Sequence, residues 1–227
     1  MQNVHVYSTL ATGTSGVQTY VGGGTAAEKS RKILEESLQR RGVTSYWLKT
    51  CHGSSVVKIP PMPHEEMADA AISKKLGVAC ILTSADCMPV VCVDEDQTCI
   101  GIAHSGWRGL ANGVIQNFVS EFDMNPHRLH VWIGPSISKH DYEVGQEVFD
   151  SIVENGDKFS SFFEETRNGH YLADLKGVAR QQLVEAGVVE SRVLIENVST
   201  FSNPSFHSTR RDGRSAGRMA TIAWIDR

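Results

Sequence analysis

One cysteine and two histidines stand at the ends of predicted strands, and these residue types can bind a metal or attack a substrate. Cys87 directly precedes the apolar run MPVVCVD, and His104 lies near the end of the run CIGIAHS. The polar residues EDQT between the runs predict a turn, so the two runs predict an antiparallel hairpin with Cys87 and His104 as cross-strand neighbours. His52, at another strand end and followed by Gly53, is the natural third member of this cluster.

Three chemistries are open to this cluster. Two imidazoles and one thiolate are a common Zn²⁺ ligand set, and three protein ligands leave a fourth position for water or substrate. A Cys87 thiolate activated by His104, with Asp86 or another polar group orienting the pair, could instead hydrolyse a substrate without metal. Copper also accepts such a set, but Met88 points away from Cys87 on a strand, and the nine histidines form no H-x-H pair. The alternative is that Cys87 is an inert core residue.

A basic segment near the C-terminus could bind an anion. The sequence FHSTRRDGRSAGR places Arg210, Arg211, Arg214 and Arg218 among glycines. Guanidinium groups can hold phosphate or carboxylate through paired hydrogen bonds. Arg108 in GWRG could face the same site or support helix packing, and a solvated turn before the last strand is the alternative for the whole segment.

The elements that must position these residues mix helices and strands. Apolar periodicity predicts a helix over 25–41, ended by Gly42, and one helix directly after His104 in GWRGLANGVIQNFVSEF, with later helices in VGQEVFDSIVEN and LADLKGVARQQLVEAG. Residues 11–24 and IPPMPHEE read as loops. The predicted strands, besides the hairpin, are VHVYSTL, TSYWLKT, SSVVKI, GVACILTSA, HRLHVWIG, RVLIENV and RMATIAWI. No repeat or linker interrupts them, which predicts a single α+β domain over residues 1–227.

Composition and charge limit the classes of partner and the cellular compartment that we expect for this chain. The 227 residues carry a net charge of −4 with scattered basic residues, which argues against nucleic acid or a membrane surface as the main partner. No stretch reads as a signal peptide or a membrane span, so we expect a cytoplasmic protein. The five cysteines form an odd set without C-x-x-C pairs, which predicts free thiols in a reducing compartment.

Several motifs together resemble one protein family. CHGSSV, TSADCMPVVCVD, IGIAHSGWRGLANGV, IGPSIS with YEVG, and STRRDGRSAGRMATIAWI occur in the order found in the laccase-domain proteins, the bacterial YfiH and YlmD type related to human FAMIN and formerly called multicopper polyphenol oxidases. The resemblance covers roughly residues 45–225. It implies a layered α/β/β/α-type domain with mixed sheets, related in architecture to the cytotoxic necrotizing factor deamidases.

The resemblance also implies an activity. The family is associated with phosphorolysis of adenosine, inosine, guanosine and methylthioadenosine, and with adenosine deamination, so the expected partners are a purine nucleoside and phosphate. His52, Cys87 and His104 would be both the Zn²⁺ ligands and the catalytic residues, and Arg210 and Arg211 would orient phosphate. Copper-dependent polyphenol oxidation and amidase editing of a peptidoglycan precursor have also been attributed to members and are the alternatives.

The chain departs from the family pattern at a few positions. Leu10 stands where the family usually has Arg, and Thr50 where it usually has Gln. Ser199 and Thr200 replace a Cys-Thr pair. None of these positions belongs to the three expected metal ligands.

Overall fold

The computed structural model describes residues 3–10, 25–59 and 66–227. The helices of these residues are α1 (Thr25–Arg40), α2 (Trp107–Ala111), α3 (Val114–Ser120), α4 (Gln146–Val153), α5 (Leu175–Glu185) and α6 (Thr209–Asp212). The strands are β1 (Val4–Ser8), β2 (Thr44–Lys49), β3 (Val56–Lys58), β4 (Glu66–Met67), β5 (Ala70–Ser73), β6 (Val78–Ser84), β7 (Met88–Asp94), β8 (Ile100–Ser105), β9 (Leu129–Ile133), β10 (Glu143–Gly145), β11 (Phe163–Arg167), β12 (His170–Ala173), β13 (Val193–Ile195) and β14 (Met219–Ile225).

The strands form two large mixed sheets and one small sheet. The first sheet has the order β1-β14-β6-β2-β4, with β2 parallel to both of its neighbours and the other pairs antiparallel. The second has the order β13-β9-β7-β8-β5-β3, with parallel pairs only at its two edges. The small sheet, β10-β12-β11, is antiparallel.

The elements form four layers, and an apolar cluster lies between each layer and the next. Leu38 of α1 packs with Trp47 and Ile222 on the outer face of the first sheet. Between the two sheets lies a second cluster that contains Leu82 of β6 and Ile102 of β8. The outer face of the second sheet packs against α2 to α5 through buried side chains that include Leu110, Phe118, Val148 and Val178. The α/β/β/α order expected from the family resemblance is therefore confirmed.

The predicted hairpin is present and determines where two of the candidate residues lie. Strands β7 and β8 pair in antiparallel register with Met88 opposite Ser105 and Pro89 opposite His104. Both strands are buried along their whole length. Cys87 directly precedes β7, so the register brings it to the same end of the hairpin as His104.

The segment after His104 differs from its prediction. Instead of one helix it forms α2 and α3, separated at Asn112 and Gly113. Gly113 has φ +80°, a left-handed conformation that ends a helix and that glycine adopts without a steric penalty. The helix predicted over 25–41 is confirmed as α1, whereas the predicted loop at 11–24 and most of the proline-rich loop lie outside the described residues.

Some elements were not predicted. Strand β5 has the sequence AAIS, whose small residues carry little strand signal, yet it is fully buried beside β8. The strands β10, β11 and β12 were also missed. Strand β5 matters most, because the residue before it contacts the candidate site.

Two further expectations concern the environment of the chain. All five cysteines are free thiols, as predicted. None of the helices that the structure describes has the length and apolar character needed to cross a membrane.

Candidate functional site

Three different segments bring His52, Cys87 and His104 together. His52 lies on the loop after β2, Cys87 between β6 and β7, and His104 within β8. Their ligand atoms all lie within 4.8 Å of one another, and they form the one such group of His, Cys, Asp and Glu side chains found among the described residues. The two imidazole rings meet edge to face with their centroids 4.9 Å apart.

The cluster is buried on one side and open on the other. His104 is only 3% exposed, Cys87 is partly buried, and His52 is exposed. His52 also has φ +62°, a left-handed backbone conformation that is uncommon for a residue with a side chain. A substrate or an ion could therefore reach the cluster from the His52 side.

Cys87 and His104 stabilise each other's charged forms. Burial alone would raise the pKa of the Cys87 thiol, but the charge of His104 and hydrogen bonds from His104 and His52 outweigh burial and lower that pKa. Burial would likewise lower the pKa of His104, yet Cys87 and Asp69 together raise it. The thiolate, which is the form of cysteine that binds metals and attacks substrates, is thus favoured here.

The geometry suits a metal ion held by these three side chains. Two imidazole nitrogens and a thiolate match the donor set of zinc, whose bonds to them measure about 2.0 to 2.3 Å. The neighbouring residue leaves room, because Gly106 has no Cβ, and a Cβ there would lie 2.8 Å from Cys87 Sγ. The Nδ1 atom of His104 faces Asp69, which leaves its Nε2 atom available to the cluster.

Asp69 is the residue at this site that sequence reasoning missed. Its side chain is completely buried immediately before β5. The carboxylate accepts hydrogen bonds from the main-chain nitrogens of Cys51, His52 and Gly53, and Oδ1 lies 3.5 Å from His104 Nδ1. Burial would raise the pKa of Asp69, but His104 and the hydrogen-bond donors around the carboxylate outweigh burial and lower the pKa well below its usual range.

Asp86, which the sequence suggested as the group that orients Cys87 and His104, contacts other residues instead. Its Oδ1 atom accepts from Thr200 Oγ1 at 2.7 Å, and its Oδ2 atom accepts from the main-chain nitrogen of Arg210 at 2.7 Å. Asp86 therefore ties the Cys87 loop to the C-terminal basic segment, and the carboxylate in contact with His104 is that of Asp69.

A cavity of about 740 Å³ opens above the cluster, and much of its wall is basic and aromatic. The Arg108 guanidinium stacks over the ring of Trp107 at 4.2 Å, and that of Arg210 over the ring of Tyr142 at 4.8 Å. Burial raises the pKa of Tyr142 to about 12. The cavity is lined by Thr50, His52, Thr83, Ser84, Ala85, Asp86, Cys87, His104, Gly106, Trp107, Arg108, Tyr142, Thr209, Arg210, Arg214 and Arg218.

The two arginines predicted to hold phosphate differ in position. Arg210 lines the cavity, with one guanidinium nitrogen donating to the Glu143 carbonyl oxygen at 2.8 Å. Arg211 is not among the lining residues. Its guanidinium donates to the carbonyl oxygens of Thr200, Phe201 and Phe206 and pairs with Asp212. These contacts occupy Arg211 with the main chain, so its geometry does not suit phosphate binding.

The remaining positions to be placed are Ser84, the two departures from the family pattern and the other histidines. Ser84 lines the cavity, and its buried hydroxyl has no hydrogen-bond partner among the described residues. Thr50 also lines the cavity, whereas Leu10 lies just after β1 and is 38% exposed. None of the remaining described histidines belongs to a metal-ligand cluster, and His64 lies outside the described residues; those remaining histidines are His5, His127, His130, His140, His170 and His207.

Known proteins resemble this chain over most of its length. A family model described as multi-copper polyphenol oxidoreductase laccase matches residues 17–226. A purine nucleoside phosphorylase of Xylella fastidiosa is 38% identical over 205 residues, which cover 87% of this chain and 78% of that protein. The purine nucleoside phosphorylase YfiH of Escherichia coli is 37% identical over 181 residues, or 79% of this chain and 73% of its own.

A solved structure shares the fold over the whole chain. The crystal structure of Neisseria meningitidis protein NMB0706 superimposes with a TM-score of 0.88 at 32% identity, covering 100% of this chain and 96% of that one. The match of the family model to nearly the whole chain, and the enzymes named among its relatives, agree with the motifs around Cys87 and His104. The chain therefore belongs to the multi-copper polyphenol oxidoreductase laccase family, the family of the YfiH-type purine nucleoside phosphorylases.

Proposed function

We propose that this protein is a zinc-dependent purine nucleoside phosphorylase that acts on adenosine, inosine, guanosine and methylthioadenosine and that also deaminates adenosine. The observation that carries the proposal is the cluster of His52, Cys87 and His104 at the base of a cavity lined by arginines and aromatic rings. The names of the relatives support the reaction class.

The three side chains of the cluster would hold Zn²⁺. When bound, the ion would supply Lewis acidity and a water of lowered pKa, the chemistry that deamination at a purine ring requires. The chain's own contribution is to present one thiolate and two imidazoles from three segments, with a buried side at His104 and an open side at His52.

The arginines of the cavity wall would hold phosphate for phosphorolysis. Arg210 lines the cavity together with Arg108, Arg214 and Arg218, and guanidinium groups bind phosphate through charge-assisted hydrogen bonds. We assign this role to Arg210 with these neighbours and not to Arg211, whose donors face main-chain carbonyls. Fixing phosphate beside the ribose would lower the barrier by orienting the two reactants.

The purine would lie against the aromatic part of the wall. Trp107 and Tyr142 offer ring faces, and each carries an arginine stacked on it. The phenol of Tyr142 lines the cavity and is protonated at neutral pH, so it can donate a hydrogen bond to the departing base. Phosphorolysis also needs an acid that protonates the leaving purine. Both oxygens of Asp86 already accept hydrogen bonds, which makes Asp86 a poor candidate for that acid.

A second candidate function has its own supporting observation. Cys87, His104 and Asp69 are arranged as a nucleophile, a base and a carboxylate in contact with the base, which is the pattern of a cysteine hydrolase. On this alternative the protein would be a metal-independent amidase, for example one that edits a peptidoglycan precursor.

Product analysis tests the phosphorylase proposal. Zinc-loaded protein is incubated with adenosine or inosine, with and without phosphate, and compared with Cys87→Ala and with Cys92→Ala, a control that alters a buried cysteine outside the cluster. We expect phosphate-dependent ribose 1-phosphate from the wild type and from Cys92→Ala but not from Cys87→Ala. Inosine formed from adenosine without phosphate would report deamination.

The same experiment separates the alternatives. Absence of ribose 1-phosphate with every nucleoside would contradict the phosphorylase proposal, and equal product from Cys87→Ala would remove the thiol from the mechanism. Full phosphorylase activity of metal-free protein would contradict zinc dependence, whereas the absence of ribose 1-phosphate with every nucleoside would favour the Cys–His hydrolase. Copper-dependent colour with uptake of dioxygen would favour polyphenol oxidation instead.

A further inference from the structure

We propose that Asp69 is the positioning residue of this site, and that its buried carboxylate sets the placement of both His52 and His104 so that they share one ligand with Cys87. The proposal rests on the cluster described above as a ligand site, whichever reaction that site performs. Three sets of contacts support it.

The first set joins Asp69 to the strand that carries His104. Asp69 immediately precedes β5, which pairs with β8 so that Ala70 lies opposite Ala103. The carbonyl oxygen of Asp69 accepts a hydrogen bond from the main-chain nitrogen of His104 at 2.7 Å. The backbone of His104 is therefore fixed relative to Asp69.

The second set builds the loop that carries His52. Oδ1 of Asp69 accepts from the main-chain nitrogens of Cys51 at 3.1 Å and of His52 at 2.8 Å. Oδ2 accepts from the main-chain nitrogen of Gly53 at 2.6 Å and from Cys51 Sγ at 3.0 Å. Three successive main-chain donors thus converge on one carboxylate. They hold His52 at φ +62°, a left-handed conformation that is strained for a residue with a side chain.

The third contact concerns the ring of His104. Its Nδ1 atom lies 3.5 Å from Asp69 Oδ1, within ion-pair distance, and both side chains are almost completely buried. A carboxylate against one ring nitrogen determines which nitrogen faces a ligand. Replacing such a partner of a metal-bound histidine typically lowers the metal affinity 10- to 100-fold. Asp69 therefore contacts one histidine through its ring and main chain, and the other through its loop.

A second buried aspartate in the same sheet provides a matched control. Asp94 is 2% exposed and closes the turn at the opposite end of the β7–β8 hairpin. It accepts from the main-chain nitrogens of Thr98 and Cys99, both at 2.7 Å, and from Thr98 Oγ1 at 2.8 Å. Asp94 resembles Asp69 in burial and in its role in a turn, but it has no part in the His52, Cys87 and His104 cluster.

The test compares Asp69→Asn with Asp94→Asn. Every hydrogen-bond partner of the Asp69 carboxylate is a donor, and at least two donors meet each oxygen, so an asparagine would turn its NH₂ group toward two or more donors in either orientation. We expect both variants to fold with a lower melting temperature. Zn²⁺ affinity, measured by competition with a chromophoric chelator, should fall about 10- to 100-fold in Asp69→Asn and stay near the wild-type value in Asp94→Asn. Equal Zn²⁺ affinity in the two variants would overturn the proposal.

A second measurement does not depend on metal. Amide hydrogen exchange of Cys51, His52 and Gly53 in metal-free protein should be at least tenfold faster in Asp69→Asn than in Asp94→Asn. Unchanged exchange at these amides would overturn the proposal as well. If wild-type protein binds no Zn²⁺ at all, the zinc part of the proposed function fails, while the exchange rates still decide whether Asp69 positions the His52 loop.

Discussion

At the scale of single residues, Gly106 leaves the space that the sulfur of Cys87 occupies. Gly106 has φ −85°, which any residue can adopt, so its importance is steric. In Gly106→Ala the new Cβ would lie 2.8 Å from Cys87 Sγ and displace it. We expect phosphorylase activity to fall by roughly 100-fold, since a shift of about 1 Å in a reacting group can have that effect.

The control for this prediction is Gly177→Ala in α5. The Cβ of that variant would lie 2.5 Å from Phe162 Cδ1 and 2.7 Å from Asp174 Oδ2, and it would not meet Cys87. Steady-state kinetics together with melting temperatures will distinguish the two variants. Gly106→Ala protein with wild-type kcat/KM would show that the sulfur does not need its present position.

The two neighbouring arginines should respond differently to substitution. Arg210→Ala removes a guanidinium from the cavity wall, so we expect the KM for phosphate to rise about tenfold or more, the loss of one charge-assisted hydrogen bond. Arg211→Ala instead removes the donors to the Thr200, Phe201 and Phe206 carbonyls, and we expect a loss of about 1 kcal/mol in the free energy of unfolding. Phosphate kinetics and urea denaturation measure the two effects, and the reverse pattern would contradict the assignment.

Sequence reasoning found some site residues and missed others for definable reasons. Cys87 and His104 could be paired because the hairpin runs and their polar turn are local signals. Asp69 could not be found, because the small residues after it give little sign of β5 and its partners lie 16 or more positions away along the chain. The sequence also could not separate Arg210 from Arg211, since only the folded structure shows that Arg210 lines the cavity while Arg211 is held by the carbonyl oxygens of a neighbouring loop.

At the scale of elements, local sequence patterns predicted the presence of helices and strands better than the positions at which a helix is interrupted. Helix α1 and the β7–β8 hairpin follow from periodicity and turn residues. The break between α2 and α3 depends on Gly113, whose left-handed backbone conformation is not visible in an apolar pattern that continues through Val114 and Phe118. Sequence reasoning read the helical spacing correctly but not the backbone conformation at one residue.

Asp86 on the Cys87 loop accepts hydrogen bonds both from Thr200 and from the C-terminal basic segment. Thr200→Val removes the hydroxyl that donates to Asp86 Oδ1, and Asp86 also holds the main-chain nitrogen of Arg210. We expect the KM for phosphate to rise several-fold in this variant with little change in kcat, because Arg210 would be less well placed. Steady-state kinetics at varied phosphate concentrations will measure both constants.

A matched variant of β14 makes this prediction specific. Thr221 is as buried as Thr200, but its hydroxyl bonds with Ser8 on β1, away from the Asp86 contact. Thr221→Val should lose comparable stability and keep the wild-type KM for phosphate. If both variants change that KM equally, the effect is general destabilisation and not the Asp86 contact.

At the scale of the whole molecule, the site joins the two large sheets. His52 follows β2 of the first sheet, and His104 lies in β8 of the second, while Cys87 lies on the connection from β6 to β7. The layered order of the fold could be expected only from the resemblance to a family, because strand order depends on contacts between distant segments such as β1 and β14. An ion held by these three residues would stabilise the packing of one sheet on the other.

This arrangement predicts that Zn²⁺ raises the thermal stability of the entire chain. A ligand that binds only the folded state at 100 times its Kd contributes about 2.7 kcal/mol. For a chain of this size, that corresponds to a rise of about 5 to 10 °C in the melting temperature. Calorimetry of the wild type and of Cys87→Ala, each with and without Zn²⁺, measures the rise. An equal rise in Cys87→Ala would mean that the ion binds elsewhere, whereas its loss in that variant would show that the ion binds through the thiolate at the junction of the two sheets.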